Sequence, residues 1–212
     1  MQSPVVVKNL GLTDFVEICD AMQKFTADRT PTTSDEIWLT EHASVYSLGL
    51  NRKSVRLPST KHIPIVYTDR GGKITYHGPG QVIVYVLLDL KRRNLNIRSL
   101  VTLLEQTVIK LLKNYDVVAT SKADAPGVYV RNTQALEAKI AALGLRIKNN
   151  CCYHGLSLNV NMDLSPFLAI DPCGYVGLAV TQTQDLGIAA DTKMLGQGLV
   201  ELLSNHLNTG VK

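Results

Sequence analysis

Three short stretches of the chain hold residue types for which a hydrophobic core has no use. The first is Arg70-Gly71-Gly72-Lys73-Ile74-Thr75-Tyr76-His77-Gly78-Pro79-Gly80-Gln81, which places four glycines, a proline, an arginine and a histidine between two apolar runs. Glycine permits φ > 0 and close backbone approach, and consecutive N–H groups make a concavity for a carboxylate, phosphate or oxyanion. Arg70 and Lys73 supply charge there. Thr75 and His77, two apart, share a face if the chain is extended. The Gly-Lys-Ser/Thr ending of a Walker loop is missing. The competing reading is a long hairpin loop with turn glycines and a solvated His77.

The second stretch is Ile170-Asp171-Pro172-Cys173-Gly174-Tyr175. Pro172 constrains one side of the thiol and Gly174 frees the other, a seat suited to a nucleophile with an oxyanion donor just after it; the alternative is a small buried residue in a turn. The third is Lys139, set among Ala138, Ile140, Ala141, Ala142, Leu143 and Gly144. Such a lysine either snorkels to water beside Glu137 or is kept in a site, where desolvation lowers its pKa and makes it a usable base or a cation that stabilises a thiolate. Cys151-Cys152-Tyr153-His154-Gly155 resembles metal-ligand spacing only superficially: no second Cys-x-x-Cys or His-x-His completes a zinc site, and no metal is expected. His154-Gly155, like His77-Gly78, reads better as part of an organic ligand pocket, with the paired cysteines near it.

These residues need a scaffold, and the rest of the chain provides one. The 212 residues carry 45% hydrophobic residues and a net charge of 22 − 18 = +4, which excludes disordered, fibrous and strongly nucleic-acid-binding classes. No apolar run nears the ~20 residues of a spanning helix, and no signal or transit pattern opens the sequence, so a cytoplasmic protein with reduced thiols is expected. Residues 14–29, 98–115 and 191–207 read as amphipathic helices, the first with Asp14 and Glu17 as a capping box. Residues 36–42, 44–48, 63–68, 81–90, 117–119, 127–130, 143–148 and 156–162 read as strands, and 51–62 as a loop. Strands outnumber helices without regular alternation, so the expectation is one α/β (α+β) domain spanning 1–212, with a mixed sheet flanked by helices. Lys91, Arg92, Arg93 and Arg98 form a basic cluster that is a candidate docking patch for acidic partners.

Taken together, these stretches resemble the octanoyltransferase family, the lipoyl(octanoyl) transferases. The Arg-Gly-Gly loop ending in Tyr-His-Gly-Pro-Gly-Gln, the motif starting at Lys139, the strand Tyr153-His154-Gly155-Leu156-Ser157-Leu158-Asn159 and the Pro172-Cys173-Gly174 motif occur in family order between about residues 41 and 181. The resemblance implies a fold similar to the catalytic domain of lipoate and biotin protein ligases. It implies a Cys173 nucleophile that takes octanoyl as a thioester, and Lys139 lowering the thiol's pKa. Arg70, Gly71, Gly72, Lys73, Ile74, Thr75, Tyr76, His77, Ala142, Leu143, Gly144, His154, Gly155, Leu156 and Ser157 would line the acyl pocket. Backbone N–H groups around Gly174 or Gly72, and His77 or His154, would be the oxyanion donors. The implied donor is octanoyl-acyl carrier protein. The implied acceptors are lipoyl domains of 2-oxoacid dehydrogenases and the glycine cleavage H protein, with no cofactor, nucleic acid or membrane. The rivals are an ATP-dependent lipoate or biotin protein ligase, which needs an adenylate site and no nucleophilic cysteine, and a non-enzymatic acyl-binding module.

Overall fold

A computed structural model describes residues 4–59, 62–134, 136–171 and 177–209. In chain order its elements are β1 (Val6–Thr13), α1 (Phe15–Ala27), β2 (Glu36–His42), β3 (Val45–Leu48), β4 (Ile65–Tyr67), β5 (Ile74–His77), β6 (Gln81–Asp89), α2 (Ile97–Lys113), β7 (Ala119–Ser121), β8 (Gly127–Arg131), β9 (Glu137–Lys148), β10 (Cys151–Asn159), β11 (Ala179–Val180) and α3 (Thr192–Thr209).

The unbroken apolar run of β6 organises the rest. Val82, Val84, Val86 and Leu88 face a core shared with Leu100, Leu104, Val108 and Leu112 of α2 and Leu195, Leu199 and Leu203 of α3. Ile83, Tyr85 and Leu87 face the other way, against Phe15, Cys19 and Met22 of α1. A strand covered on both faces has no polar side to show, which is why its sequence does not alternate. Each leucine fully buried in this way contributes about 1.5–3 kcal/mol.

Among the described residues, eight strands form one mixed sheet in the order β1-β2-β6-β10-β9-β8-β7, with β11 joining β9. The pairs β1–β2 and β9–β11 are parallel and the others antiparallel. A second, three-stranded sheet has the order β4-β3-β5. The mixed sheet flanked by helices agrees with the sequence expectation. β10 spans Cys151–Asn159 rather than 156–162, β7 spans Ala119–Ser121 rather than 117–119, and β11 is absent from the expectation. Three further details differ. β1 is an edge strand with exposed Val6, Val7 and Leu12 and a register shift between Asn9 and Gly11, so it lacks an alternating pattern. β5 lies inside the glycine-rich segment. β9 starts at Glu137 rather than Leu143 and therefore includes Lys139. The α1 cap is as expected on one side: the Asp14 carboxylate accepts from the N–H groups of Val16 and Glu17 at 2.8 and 3.0 Å.

One buried carboxylate fastens the end of the sheet away from the glycine-rich segment. Asp35, just before β2, is 1% exposed. It accepts from Arg29, from Arg92 at 2.6 Å, from Arg93 at 2.6 Å and from the Asp89 N–H at 2.9 Å. Arg93 also donates to the Leu207 carbonyl at 2.7 Å, tying in α3. Arg92 and Arg93 are thus structural, and of the expected basic docking patch only Lys91 and Arg98 are exposed. Burial alone would push the Asp35 carboxyl up, but Arg93, the Asp89 amide and Arg92 outweigh it and hold it below the usual carboxylate range. Its stabilisation is therefore complete above about pH 4 and fades as the pH falls below that. Asp35→Asn, which removes the shared anion, is expected to cost about 3–5 kcal/mol in urea unfolding at pH 7. A loss below about 1 kcal/mol, the worth of a surface pair, would contradict this role.

Candidate active site

A cleft of about 770 Å³, counting its open mouth, lies where the small sheet meets β9 and β10. One wall is the segment after β4: Arg70, Gly72 and Lys73, continuing into Ile74, Thr75 and His77 of β5. Ala142, Leu143 and Gly144 of β9 and His154, Gly155, Leu156 and Ser157 of β10 face it. Lys139, Ile140 and Ala141 of β9, with Phe15, Ile83, Tyr85, Asn159, Phe167 and Val180, complete the lining. Stretches far apart in sequence thus meet in one place. Gly71 sits behind the wall, its N–H donating to the Leu145 carbonyl at 2.9 Å. Tyr76 points away from the cleft, its ring packed on Tyr46 and Phe167 and its hydroxyl 3.0 Å from Ser44 Oγ. Cys173 lies outside the described residues.

The cleft floor is bare because two glycines oppose each other across the β9–β10 pair, Gly144 against Gly155. A Cβ on Gly155 would stand 2.0 Å from the Val84 carbonyl oxygen, so β10 lies too close to β6 there for any side chain. Alanine, leucine and isoleucine side chains then make the lining largely apolar, which suits a hydrocarbon group.

Lys139 is 3% exposed, which settles the choice between snorkelling and burial. Its Nζ donates to the Pro126 carbonyl at 2.9 Å and lies 5.2 Å from the centre of the Tyr129 ring. The backbone makes room for it: Gly127 has φ +145°, and a Cβ there would come within 2.3 Å of Lys139 Cε. Glu137, the solvent-side partner in the competing reading, pairs with Lys122 instead. In the sheet Lys139 pairs with Tyr129 of β8 on one side and Val180 of β11 on the other.

Three imidazoles lie around the cleft, all with pKa values pushed down chiefly by burial. His77 is pushed to about 3 and is neutral at physiological pH. Both its nitrogens are engaged, Nδ1 with Gln81 Oε1 at 2.7 Å and Nε2 with Ser47 Oγ at 3.1 Å, so it has no N–H for an oxyanion. The other thiols are inert by burial: those of Cys19 and Cys152 are pushed up to about 12. Cys152 belongs to the main core, and neither it nor Cys151, paired with Lys148 and Asp89 at the far end of β10, lines the cleft.

The profile of the lipoyl protein ligase A/B catalytic domain matches residues 17–201. The octanoyltransferase of Nitrosomonas europaea is 54% identical over 203 residues, 96% of this chain and 97% of that one. The octanoyltransferase of Burkholderia pseudomallei (strain K96243) is 51% identical over 206 residues, 97% and 92% respectively. The chain belongs to the octanoyltransferase family. It is accordingly an acyltransferase. Among solved structures, lipoate-protein ligase A bound with ATP superposes with a TM-score of 0.74 at 13% identity, over 97% of this chain and 85% of that one. Biotin protein ligase from Aquifex aeolicus, in complex with biotin and ATP, gives 0.59 at 13% identity over 98% and 71%. At these identities the likeness is one of fold.

Within this octanoyltransferase fold, sequence reading passed over the residues that hold the motifs in place. Asp69, just before Arg70, accepts from the Tyr153 hydroxyl and from His154 Nε2 at 3.1 Å, stapling the loop to β10. Adjacent strand residues ordinarily point to opposite faces. His154 has φ +64°, a left-handed conformation costly for a histidine, and this puts its ring beside that of Tyr153, stacked at 5.1 Å. Burial would raise the Asp69 carboxyl, yet His154 and Tyr153 together bring it down to about 2. The sign follows: the staple stabilises fully above the ordinary carboxylate value and is lost as the pH falls toward 2. Asp69→Asn is expected to lower stability at pH 7 by about 1–2 kcal/mol, allowing for partial exposure. Chemical denaturation of both proteins should show the gap closing as the pH falls from about 5 to about 2; a gap independent of pH would contradict the assignment.

Proposed function

We propose that the protein moves an octanoyl group from octanoyl-acyl carrier protein, through a Cys173 thioester, to a lysine of lipoyl domains in lipoate-dependent enzymes, as a cytoplasmic enzyme. The observation that carries this reading is a buried lysine ammonium on the rim of an apolar slot. Phe167 and Val180, on either side of the segment holding Cys173, both line that slot. Relatives 51–54% identical are named octanoyltransferases, whereas the ligases share only the fold. That contrast favours transfer over ATP-dependent ligation.

In the first step the Cys173 thiolate attacks the donor's thioester carbonyl. A new C–S bond forms, the old one breaks, and the departing thiolate takes a proton from Lys139. Exchange between thioesters is nearly isoenergetic, so no ATP is needed. In the second step the acceptor's lysine amine attacks the enzyme thioester. The C–N bond forms, the C–S bond to Cys173 breaks, and Lys139 recovers the amine's surplus proton. A free thiol near pKa 8.5 is mostly protonated at neutral pH, which is why a neighbouring ammonium is useful.

The protein partners fit the charge distribution. Between Glu41 and Asp69 the sequence has no acidic residue but holds Arg52, Lys53, Arg56 and Lys61, four cations against a net charge of +4 for the whole chain. Arg52, Lys53 and Arg56 are exposed, and the segment is hung on the cleft wall by the N–H of Asn51, which donates to the Gly72 carbonyl at 3.1 Å. It therefore takes over the docking role first expected of residues 91–98. Among the described residues no helix is long and apolar enough to cross a membrane.

Incubation with octanoyl-acyl carrier protein, without ATP, should add one octanoyl group by intact-mass analysis, labile to hydroxylamine and missing in Cys173→Ala. No adduct on the wild-type protein would reject the covalent route. In Lys139→Met the thiol should alkylate with an apparent pKa at or above about 8.5, against a lower value in the wild type. Superimposable alkylation–pH profiles would remove Lys139 from its role.

A further inference from the structure

His77 lies between neighbours whose proton positions are dictated from outside its ring. Gln81 Nε2 donates to the Tyr76 carbonyl at 3.2 Å and to Asn159 Oδ1 at 2.9 Å, and Asn159 Nδ2 donates to the Thr181 carbonyl at 3.0 Å. A backbone carbonyl can only accept, so both amides are oriented unambiguously, and it is the oxygen of Gln81 that meets His77 Nδ1. Nδ1 therefore carries the proton. On the other side Arg70, which can only donate, directs Nε and Nη2 at Ser47 Oγ, at 3.1 and 2.9 Å. The Ser47 hydroxyl proton is thus turned toward His77 Nε2, which accepts it. Every proton points the same way along Arg70, Ser47, His77, Gln81 and Asn159 to the Thr181 carbonyl, an arrangement whose bonds reinforce one another.

This chain joins the two sides of the cleft. It begins on the Arg-Gly-Gly wall and ends at Thr181, whose N–H donates to the Lys139 carbonyl at 3.0 Å. Gln81 is 1% exposed and lies behind the wall, while the ring it orients stacks on Phe15 at 5.5 Å. We propose that Gln81 is a positioning residue for acyl transfer: it holds His77 as the neutral Nδ1–H tautomer and thereby keeps Arg70, bonded to the buried Ser47, in the cleft wall, and through Asn159 it ties that wall to the segment beside Lys139. An inverted His77 would offer Nε2–H to a hydroxyl oxygen already taken by the guanidinium and would leave Gln81 Oε1 facing a lone pair.

The proposal rests on the acyl-transfer reading only for its rate measurements, since the tautomer is read by nitrogen-15 NMR of histidine-labelled protein without substrate. His77 should appear as Nδ1–H and should not titrate across neutral pH. Gln81→Met, checked for folding by circular dichroism, should populate the Nε2–H form and lose about tenfold in kcat/KM, as expected for a supporting hydrogen bond. In Gln81→Glu only the protonated carboxyl can both accept from His77 and donate onward. The charged and titratable groups around it are His77, His42, His154, Glu41 and Arg70. Burial raises the new carboxyl's pKa, so the rate of Gln81→Glu relative to wild type should rise as the pH falls. A merely structural role would give a pH-independent ratio. An Nε2–H wild-type ring, a folded Gln81→Met with unchanged tautomer or rate, or a flat Gln81→Glu ratio would each overturn the proposal, and the wild-type spectrum decides even if neither variant folds.

Discussion

The close antiparallel contact between β6 and β10 is the constraint on which the site depends. Gly155 lies so near the Val84 carbonyl that no other residue fits, and this contact sits opposite Tyr85 in the register of the pair. Because side chains alternate along a strand, a slip of one residue would exchange the two faces of β10. Leu156 and Leu158 would leave the main core, and Ser157 and Asn159 would leave the cleft side. Burial of β6 on both faces makes such a slip prohibitively costly, so hydrophobic packing decides which face of β10 each polar residue occupies.

Arginines at the two ends of the sheet act differently on this frame. At one end of the sheet, Arg29, Arg92 and Arg93 converge on the carboxylate of Asp35 and stitch β2, β6 and α3 together. At the other, Arg70 is held by Ser47 and by the Gly71 carbonyl and lines the cleft. The first is a clamp. The second keeps a cation at a place where the chain must bind something, and it needs the tautomer-ordered chain behind it to stay there.

Much of this was legible in the sequence where a single physical cause dominates. The unbroken run of β6 announced a strand buried on both sides, and the leucine stripes of α2 and α3 announced helices with one core face. β5 was harder. Its alternation of Ile74 and Tyr76 with Thr75 and His77 is real, but flanking glycines disguise it as a loop, and Tyr76, grouped with the cleft residues, serves the small sheet's own cluster. Lys139 was visible as an odd residue among small ones, though not as part of a strand, because β9 there faces β8 and β11 instead of following one alternating face. Asp69, Gln81 and Asn159 stood beside or within the quoted motifs without a role. Their importance lies in who meets whom across the sheets, which spacing along one chain does not express. The basic cluster at 91–93 misled for the same reason: its partner, Asp35, is distant in sequence.

Under the proposed function, the apolar slot floored by Gly144 and Gly155 receives the acyl chain while Lys139 serves the Cys173 thiol that carries it. A crystal structure of the protein trapped as its octanoyl adduct tests this most directly. Density should run from Cys173 Sγ into the slot between the Arg70–His77 wall and Ala142–Gly144, with Lys139 Nζ within hydrogen-bonding reach of the sulfur. An octanoyl chain lying outside that slot, or a Lys139 ammonium remote from the thioester, would contradict it.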